Sequence, residues 1–395
     1  MPLNPARFLS DLTALRQIGA VGCGVVRPAY SDADIAARRW LLARIADAGL
    51  TPHVDAVGNV FGLAETGGVL LGSHTDTQPE GGWLDGALGV IAGLEVARAA
   101  REDGGPPISV VSFQDEEGRF GALTGSEVWT GSLSLADADA KVDAAGLRFS
   151  EARRGLGDLA GPQVPLSRFR AFLEMHIEQG PVLDGGPDRI GIVTAIVGAR
   201  QLHVTLEGQQ NHAGTTPMHL RRDAMQGVAD VAVGLRTALQ PIVTADSVWT
   251  MGQVTLAPNA PSAVPGKAEF TIQWRDADAA RLADMEEAVR ETLTRVGADR
   301  DLRVAITDSW ALAPTQMDPG VVAACSDAAE EICPGAWRAM PSGALHDASN
   351  VAAHLPTAMI FVPSIGGISH DFAEDTGEDD LILGLQVLAR AAGLV

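Results

Sequence analysis

Short continuous apolar runs recur along the chain, and four of them lead into residues with metal-ligating chemistry. Val69, Leu70 and Leu71 run through Gly72 and Ser73 to His74, and Ile108 to Phe113 runs into Gln114, Asp115, Glu116 and Glu117. Ala171 to Met175 ends at His176, and Ala358 to Val362 leads through Pro363–Gly367 to His370. Runs of this length, bounded by glycine or proline, read as strands buried on both faces of a parallel sheet. Amphipathic helices are expected over Ser31–Ala48 and Gly86–Arg101, and further helices over Asp318–Ile332 and Glu378–Ala392. The Ala/Gly-rich stretch 134–162 reads as an irregular connection.

From about Val197 to Ala311 the pattern changes. Gln201–Glu207 alternates, with Leu202, Val204 and Leu206 on one face; Arg222–Leu239 and Ala277–Arg295 read as helices, Val248–Leu256 and Ala268–Arg275 as strands, and Arg303–Thr307 as a closing strand. The order βαββαβ is the ferredoxin-like pattern. We therefore expect an α/β chain: a discontinuous domain of residues 1–197 and 312–395, with a mixed sheet flanked by helices, and an inserted α+β domain of residues 198–311.

Composition narrows the function. At 395 residues and 46% hydrophobic content the chain can bury a large core. A formal charge of -21, with no basic cluster to offset it, opposes nucleic acid and anionic membranes. No apolar run approaches the roughly 18 residues that span a bilayer, and the N-terminal MPLNPARFLSDL carries charges where a signal peptide needs an apolar stretch. Cys23, Cys325 and Cys333 are odd in number and lack CxxC spacing, against a disulfide framework or thiolate metal site. These features point to a cytoplasmic enzyme. No GxSxG elbow supports a serine mechanism.

In open α/β sheets the ligand crevice lies beyond the carboxyl ends of the strands. Four strands would thus deliver His74, Glu117, His176 and His370 to one rim, with Asp85 of GGWLDG on the loop between. Three histidines and two carboxylates suit two divalent ions, one carboxylate bridging them, and the mixed N/O set fits zinc, manganese, cobalt or nickel alike. Asp85, in a glycine-flanked turn before a helix, is the natural bridge. Asp76 is placed to hold the His74 imidazole from behind, and Glu116, next to Glu117, can face the attacking water. In the inserted domain Phe270, Ile272 and Trp274 share a strand face, leaving Arg275 on the other, where a guanidinium can grip a carboxylate.

GSHTDT, GGWLDGALGV, DEEGRF, EMHIEQGPVL, NHAGTTPM and PSIGGISH together resemble the hydantoinase/carbamoylase family, within the wider co-catalytic metallopeptidase superfamily. The resemblance spans nearly the full chain and implies a metallopeptidase-like catalytic domain with an inserted lid and dimerisation domain. It implies two divalent ions per subunit, with His74 and His370 on opposite ions, Asp85 bridging, and Glu117 and His176 completing the set. Glu116 matches the general base and Asp76 its orienting acid. Gln179, His212 and His346 match groups that contact the ureido part of a substrate, and Arg275 the carboxylate clamp.

The implied reaction is hydrolysis of an N-carbamoyl amino acid by a hydroxide shared between the metals. Allantoate and N-acyl amino acids are alternative substrates, and a non-catalytic metal-binding homologue is the rival of another class. In relatives the inserted domain forms a homodimer interface and can lend its histidine to the partner subunit. Three departures bear on specificity. Ser262 stands thirteen residues before Arg275 where the family commonly has Asn, with Asn259 near but out of register; SGAGHD reads SGALHD at Leu345; and SHNP reads SHDF at Ser369–Phe372.

Overall fold

The computed structural model describes residues 1–395, the side chain of Asp158 excepted. Two compact units divide the chain: Met1–Thr194 with Gln316–Val395, and Ala195–Thr315.

The first unit is built on a nine-stranded mixed sheet. Its centre runs Thr357–Val362, Phe169–Ile177, Gly68–His74, Ile108–Phe113, all four parallel. Every residue of Gly68–His74, Ile108–Phe113 and Thr357–Val362 is buried, which is why these segments are mostly apolar. Antiparallel strands flank this centre: Val60–Leu63 pairs with Ile108–Phe113, and Ile190–Ile196 with Thr357–Val362. The carboxyl ends of the four parallel strands share one edge, where the expected ligands cluster.

Helix Asp32–Asp47 starts at Ser31, whose hydroxyl accepts from the Asp34 amide, a cap worth about 1 kcal/mol. Helix Ala87–Glu102 departs from the expected amphipathic form, because Ala87 through Ala100 are all buried. Its two charged residues there are neutralised by the N-terminal helix Pro5–Arg16, through Arg7 Nε to Glu95 at 2.7 Å and Arg98 to Asp11 at 2.5 Å. A buried charge with such a partner avoids a desolvation penalty of several kcal/mol.

The stretch 134–162 is also more ordered than its composition suggests. It contains helices Leu135–Ala140 and Phe149–Ala152 and a 3-10 turn over Arg153–Leu159. Ala138 and Phe149 anchor it in a small apolar cluster with Tyr30 and Phe120.

In the second unit, strand Gly198–Glu207 lies between Lys267–Asp276 and Arg303–Leu312, and Lys267–Asp276 also pairs with Val248–Thr250 and Val254–Ala257. Helices Ala224–Leu239 and Ala279–Arg300 complete the βαββαβ order. The expected single strand Val248–Leu256 is two short strands, and the closing strand extends to Leu312. Leu202, Val204, Leu206, Phe270, Ile272 and Trp274 form one core with both helices. The alternating strands therefore turn Gln273 and Arg275 to the opposite sheet face.

Candidate metal centre

Asp85 is the hub of the site in the first unit. Its Oδ1 lies 3.0 Å from His176 Nε2 and 3.4 Å from His74 Nε2, while its Oδ2 lies 3.4 Å from His370 Nε2. Glu117 Oε2 lies 3.5 Å from the same His370 nitrogen. Of three groups that could hold a metal, His74–Asp85–His176 and Asp85–Glu117–His370 share Asp85, and Glu174–His176–His346 lies behind the first through His176.

Local backbone geometry produces this arrangement. Gly86 has φ +64°, and a Cβ there would fall 2.4 Å from the His74 ring. Asp115, Gln179 and His370 adopt left-handed φ of 57°, 58° and 54°, uncommon for residues with side chains and concentrated at functional sites.

The two inner imidazoles have fixed roles. His74 Nδ1 faces the Asp76 carbonyl at 3.0 Å, and His176 Nδ1 faces the Ile177 carbonyl at 2.8 Å. With Nδ1–H donating to those carbonyls, each Nε2 turns a lone pair toward Asp85. His74 Nε2 is buried without a hydrogen-bond partner. A buried, orphaned imidazole nitrogen facing carboxylates requires a cation, either a proton or a metal, so the donor set fits divalent metal.

The electrostatics agree. Burial pushes the Asp85 carboxyl up, but His176, His370 and His74 override it and hold it well below the usual range. Contact with Asp85 raises His370 to about 9. Glu116 Oε2 sits 3.6 Å from His74 Nε2. Burial pushes Glu116 well above the ordinary glutamate value, against His74 and with help from Glu117, Asp347 and Asp85.

The Asp76 carboxylate lies 3.8 Å from His74 Nδ1 and also accepts from the backbone amides of Glu116 at 3.4 Å and Glu117 at 3.2 Å. It thus orders the turn carrying both acids, while its carbonyl orients the imidazole. Glu116 and Glu117 belong to this turn rather than to an extended segment, so both reach the cluster.

Gln179 Nε2 donates to Asp85 Oδ2 at 2.9 Å and Ser369 Oγ at 3.1 Å, and its Oε1 is buried and unpartnered. His346 is only 1% exposed, hydrogen-bonded to Ser342 Oγ at 3.0 Å, with its ring 4.5 Å from His176. Burial, reinforced by His176, holds it well below the usual histidine value, so it is neutral.

Residues of the second unit form a separate constellation. His212 pairs with Ala263 across a short ladder, and its Nδ1 accepts from the Gly214 and Thr215 amides at 3.0 and 3.2 Å, leaving Nε2 as the donor. The Ser262 carbonyl accepts from the Ala213 amide at 3.0 Å, so Ser262 sits at the foot of the His212 loop. Asn259 is exposed, with φ 51°. Arg275 is half-buried, and its Nε donates to Gln273 Oε1 at 3.2 Å.

Several supporting residues were not expected. Gln78 Nε2 donates to Glu117 Oε2 at 2.7 Å. Glu174 is buried and bridges Ser73 Oγ and the Ala348 amide. An acid inside the apolar run AFLEM, two residues before His176 and so on the same strand face, was a legible signal for it. Glu374 accepts from the Leu84 and Asp85 amides and carried no such signal.

Residues 70–393 match the profile of peptidase family M20/M25/M40. The chain belongs to that family. It is 34% identical to an N-carbamoyl-L-amino-acid amidohydrolase of Paenarthrobacter aurescens, over 97% of this chain and 96% of the relative. It is 37% identical to the allantoate amidohydrolase of Escherichia coli strain K12, over 93% and 92% of the two chains. The crystal structure of an amidase of the hydantoinase/carbamoylase family from Burkholderia phymatum is similar with TM-score 0.92 and 42% identity, covering 99% of this chain and 97% of that one. M20 enzymes generally use divalent metals, and the His, Asp and Glu groups of this chain could hold them.

Proposed function

We propose that this M20 hydrolase cleaves the C–N bond of an N-carbamoyl (ureido) amino acid, a linear amide other than a peptide. The observation that carries the reading is Asp85, which presents one oxygen to each of two ligand groups beside the raised Glu116 carboxyl. Relatives named as N-carbamoyl-L-amino-acid and allantoate amidohydrolases support the bond type.

His74 and His176 would hold one divalent cation and Glu117 and His370 the other, with Asp85 between; zinc, manganese, cobalt and nickel all suit these donors. Bound there, the cations supply Lewis-acid polarisation of the scissile carbonyl and an acidified water. Glu116 takes the proton of the attacking water on its Oε2 and delivers it to the departing nitrogen. The Asp76 carboxylate holds Glu116 in place through its amide. Gln179, with its unpartnered Oε1, offers an acceptor to a ureido N–H. His346, whose ring packs against that of His176, is the further group proposed to contact the ureido part of the substrate.

His212 Nε2–H is proposed for the developing oxyanion and Arg275 for the substrate carboxylate, with Ser262 at the foot of the His212 loop and Asn259 three residues before it in the chain. A homodimer through the inserted unit is part of the same proposal, supported by the exposed Ile306 and Trp310 on its outer strand. Among the described residues no helix is long and apolar enough to cross a membrane, which is compatible with the proposed cytoplasmic location.

Metal reconstitution followed by a substrate panel with ammonia detection tests the reading. Carbamoyl cleavage releases ammonia and N-acyl cleavage does not, while preference for allantoate would shift the substrate within the same chemistry. Absence of any chelator-sensitive hydrolysis would refute it.

A further inference from the structure

Glu374 lies in the acidic segment DFAEDTGEDD, far along the chain from the Asp85 turn, yet it is only 2% exposed. Its Oε1 accepts from two successive amides, Leu84 at 3.1 Å and Asp85 at 3.0 Å. Successive amides converging on one oxygen form an anion-binding concavity. Its Oε2 accepts from Ser369 Oγ at 3.0 Å, and that hydroxyl lies 3.4 Å from Asp85 Oδ2. One carboxylate thus reaches Asp85 twice, through its backbone and, by way of Ser369, through its side chain.

The turn is shaped around this group. A Cβ on Gly82 would fall 1.9 Å from Glu374 Oε1, so glycine is needed where the loop wraps the carboxylate. The segment bearing Glu374 is itself anchored, by Thr376 Oγ1 to the Pro363 carbonyl at 2.8 Å and by the Ile365 amide to the Asp375 carbonyl at 3.0 Å. His370 belongs to the same returning segment. Glu374 therefore ties the His370 loop to the Asp85 turn.

We propose that Glu374 is a positioning residue that sets the rotation of Asp85, so that its two oxygens serve different ligand groups; this rests on the two-group reading above. A carboxylate rotated about its Cβ–Cγ bond by even a few tens of degrees would offer neither group a well-placed oxygen. Loss of hydrogen-bonded support behind a ligand typically weakens metal binding about 10–100-fold.

The experiment is titration of metal-free protein with Co2+ against a competing chelator, read by the visible spectrum of bound cobalt. Hydrogen exchange at the Leu84 and Asp85 amides is measured in parallel. Glu374→Ala is expected to weaken cobalt binding about 10–100-fold, alter the spectrum and speed exchange at both amides. Glu374→Gln keeps an acceptor toward the amides and a donor toward Ser369, and is expected to restore binding to within a few-fold. Ser369→Ala, which leaves the amide contacts in place, should lower affinity by a smaller factor with exchange unchanged, and it remains informative if Glu374→Ala does not fold. Wild-type cobalt affinity in Glu374→Ala or Ser369→Ala, or a Gln variant as defective as the Ala variant, would overturn the proposal. Failure of the wild-type protein to take up cobalt would instead overturn the two-group reading.

Discussion

Asp85 Oδ1 approaches His176 Nε2 to 3.0 Å while the other oxygen of the same carboxylate faces His370. Replacing one of those oxygens by an amide NH2 puts a donor where an acceptor is needed. Asp85→Asn is therefore expected to bind at most one metal ion per chain in place of the two proposed. Turnover should fall at least about 100-fold, beyond the loss expected from removing a supporting residue. Elemental analysis of dialysed protein checks the first expectation and ammonia release the second.

Glu116 differs from its neighbour in what it touches. Its Oε2 is nearest His74, whereas Glu117 faces His370 and is held by Gln78. Glu116→Gln should retain both metal ions and lose about 10²–10⁴-fold in kcat, the usual contribution of a general base. A Glu116→Gln protein that is fully loaded and turns over at near wild-type rate would remove Glu116 from the mechanism.

How much of this was legible depended on distance along the chain. His74, Glu117, His176 and His370 were readable because buried parallel strands are largely apolar and end abruptly at the crevice edge, so polar residues there stand out. The burial of helix Ala87–Glu102 was not readable. Glu95 and Arg98 look like a solvated face until the N-terminal helix brings Arg7 and Asp11 against them. Glu374 was hidden for a similar reason, since an acid among acids in a loop reads as solvated, and its partners lie some 289 residues earlier. The role of Asp76 was partly visible: proximity to His74 was clear, but the turn that presents the Glu116 and Glu117 amides to its carboxylate was not.

Gly86 carries a specific liability. Its backbone has φ +64°, and a Cβ there would fall 2.4 Å from the His74 ring. Gly86→Ala would strain the left-handed backbone and push the imidazole off its position, the overpacking alone costing roughly 1–3 kcal/mol. The variant is expected to melt several degrees lower and to bind metal more weakly. Differential scanning calorimetry of the metal-free protein separates the two effects, since a loss of stability there cannot come from lost metal.

The three thiols should separate by reactivity. Cys23 is exposed, whereas Cys325 is buried and burial pushes its thiol up to about 12. At pH 8 such a group is thiolate about one part in 10⁴ of the time, and the thiolate is the nucleophile. Burial also raises Cys333. A disulfide reagent at pH 8 should titrate one thiol per chain rapidly, and Cys23→Ser should abolish that phase. Raising the pH from 8 to 9 should speed Cys325 about tenfold, as its thiolate fraction rises, and still leave it slower than Cys23; equal rates for all three in folded protein would contradict the burial.

Specificity should respond at Ser262, at the foot of the His212 loop, where its carbonyl receives the Ala213 amide. That bond uses the backbone, so Ser262→Asn leaves the loop anchored and changes only the side chain. An asparagine amide reaches farther than a hydroxyl and can donate to a carboxylate. One such charge-assisted bond is worth about 1.5–3 kcal/mol, equivalent to roughly 10- to 150-fold in kcat/KM. The gain should appear as a lower KM for N-carbamoyl amino acids, with kcat little changed, because a carboxylate remote from the reacting carbonyl is bound alike in ground and transition states. Kinetics across a panel of N-carbamoyl and N-acyl amino acids provides the check. Identical selectivity in both proteins would mean that Ser262 lies outside the carboxylate's reach.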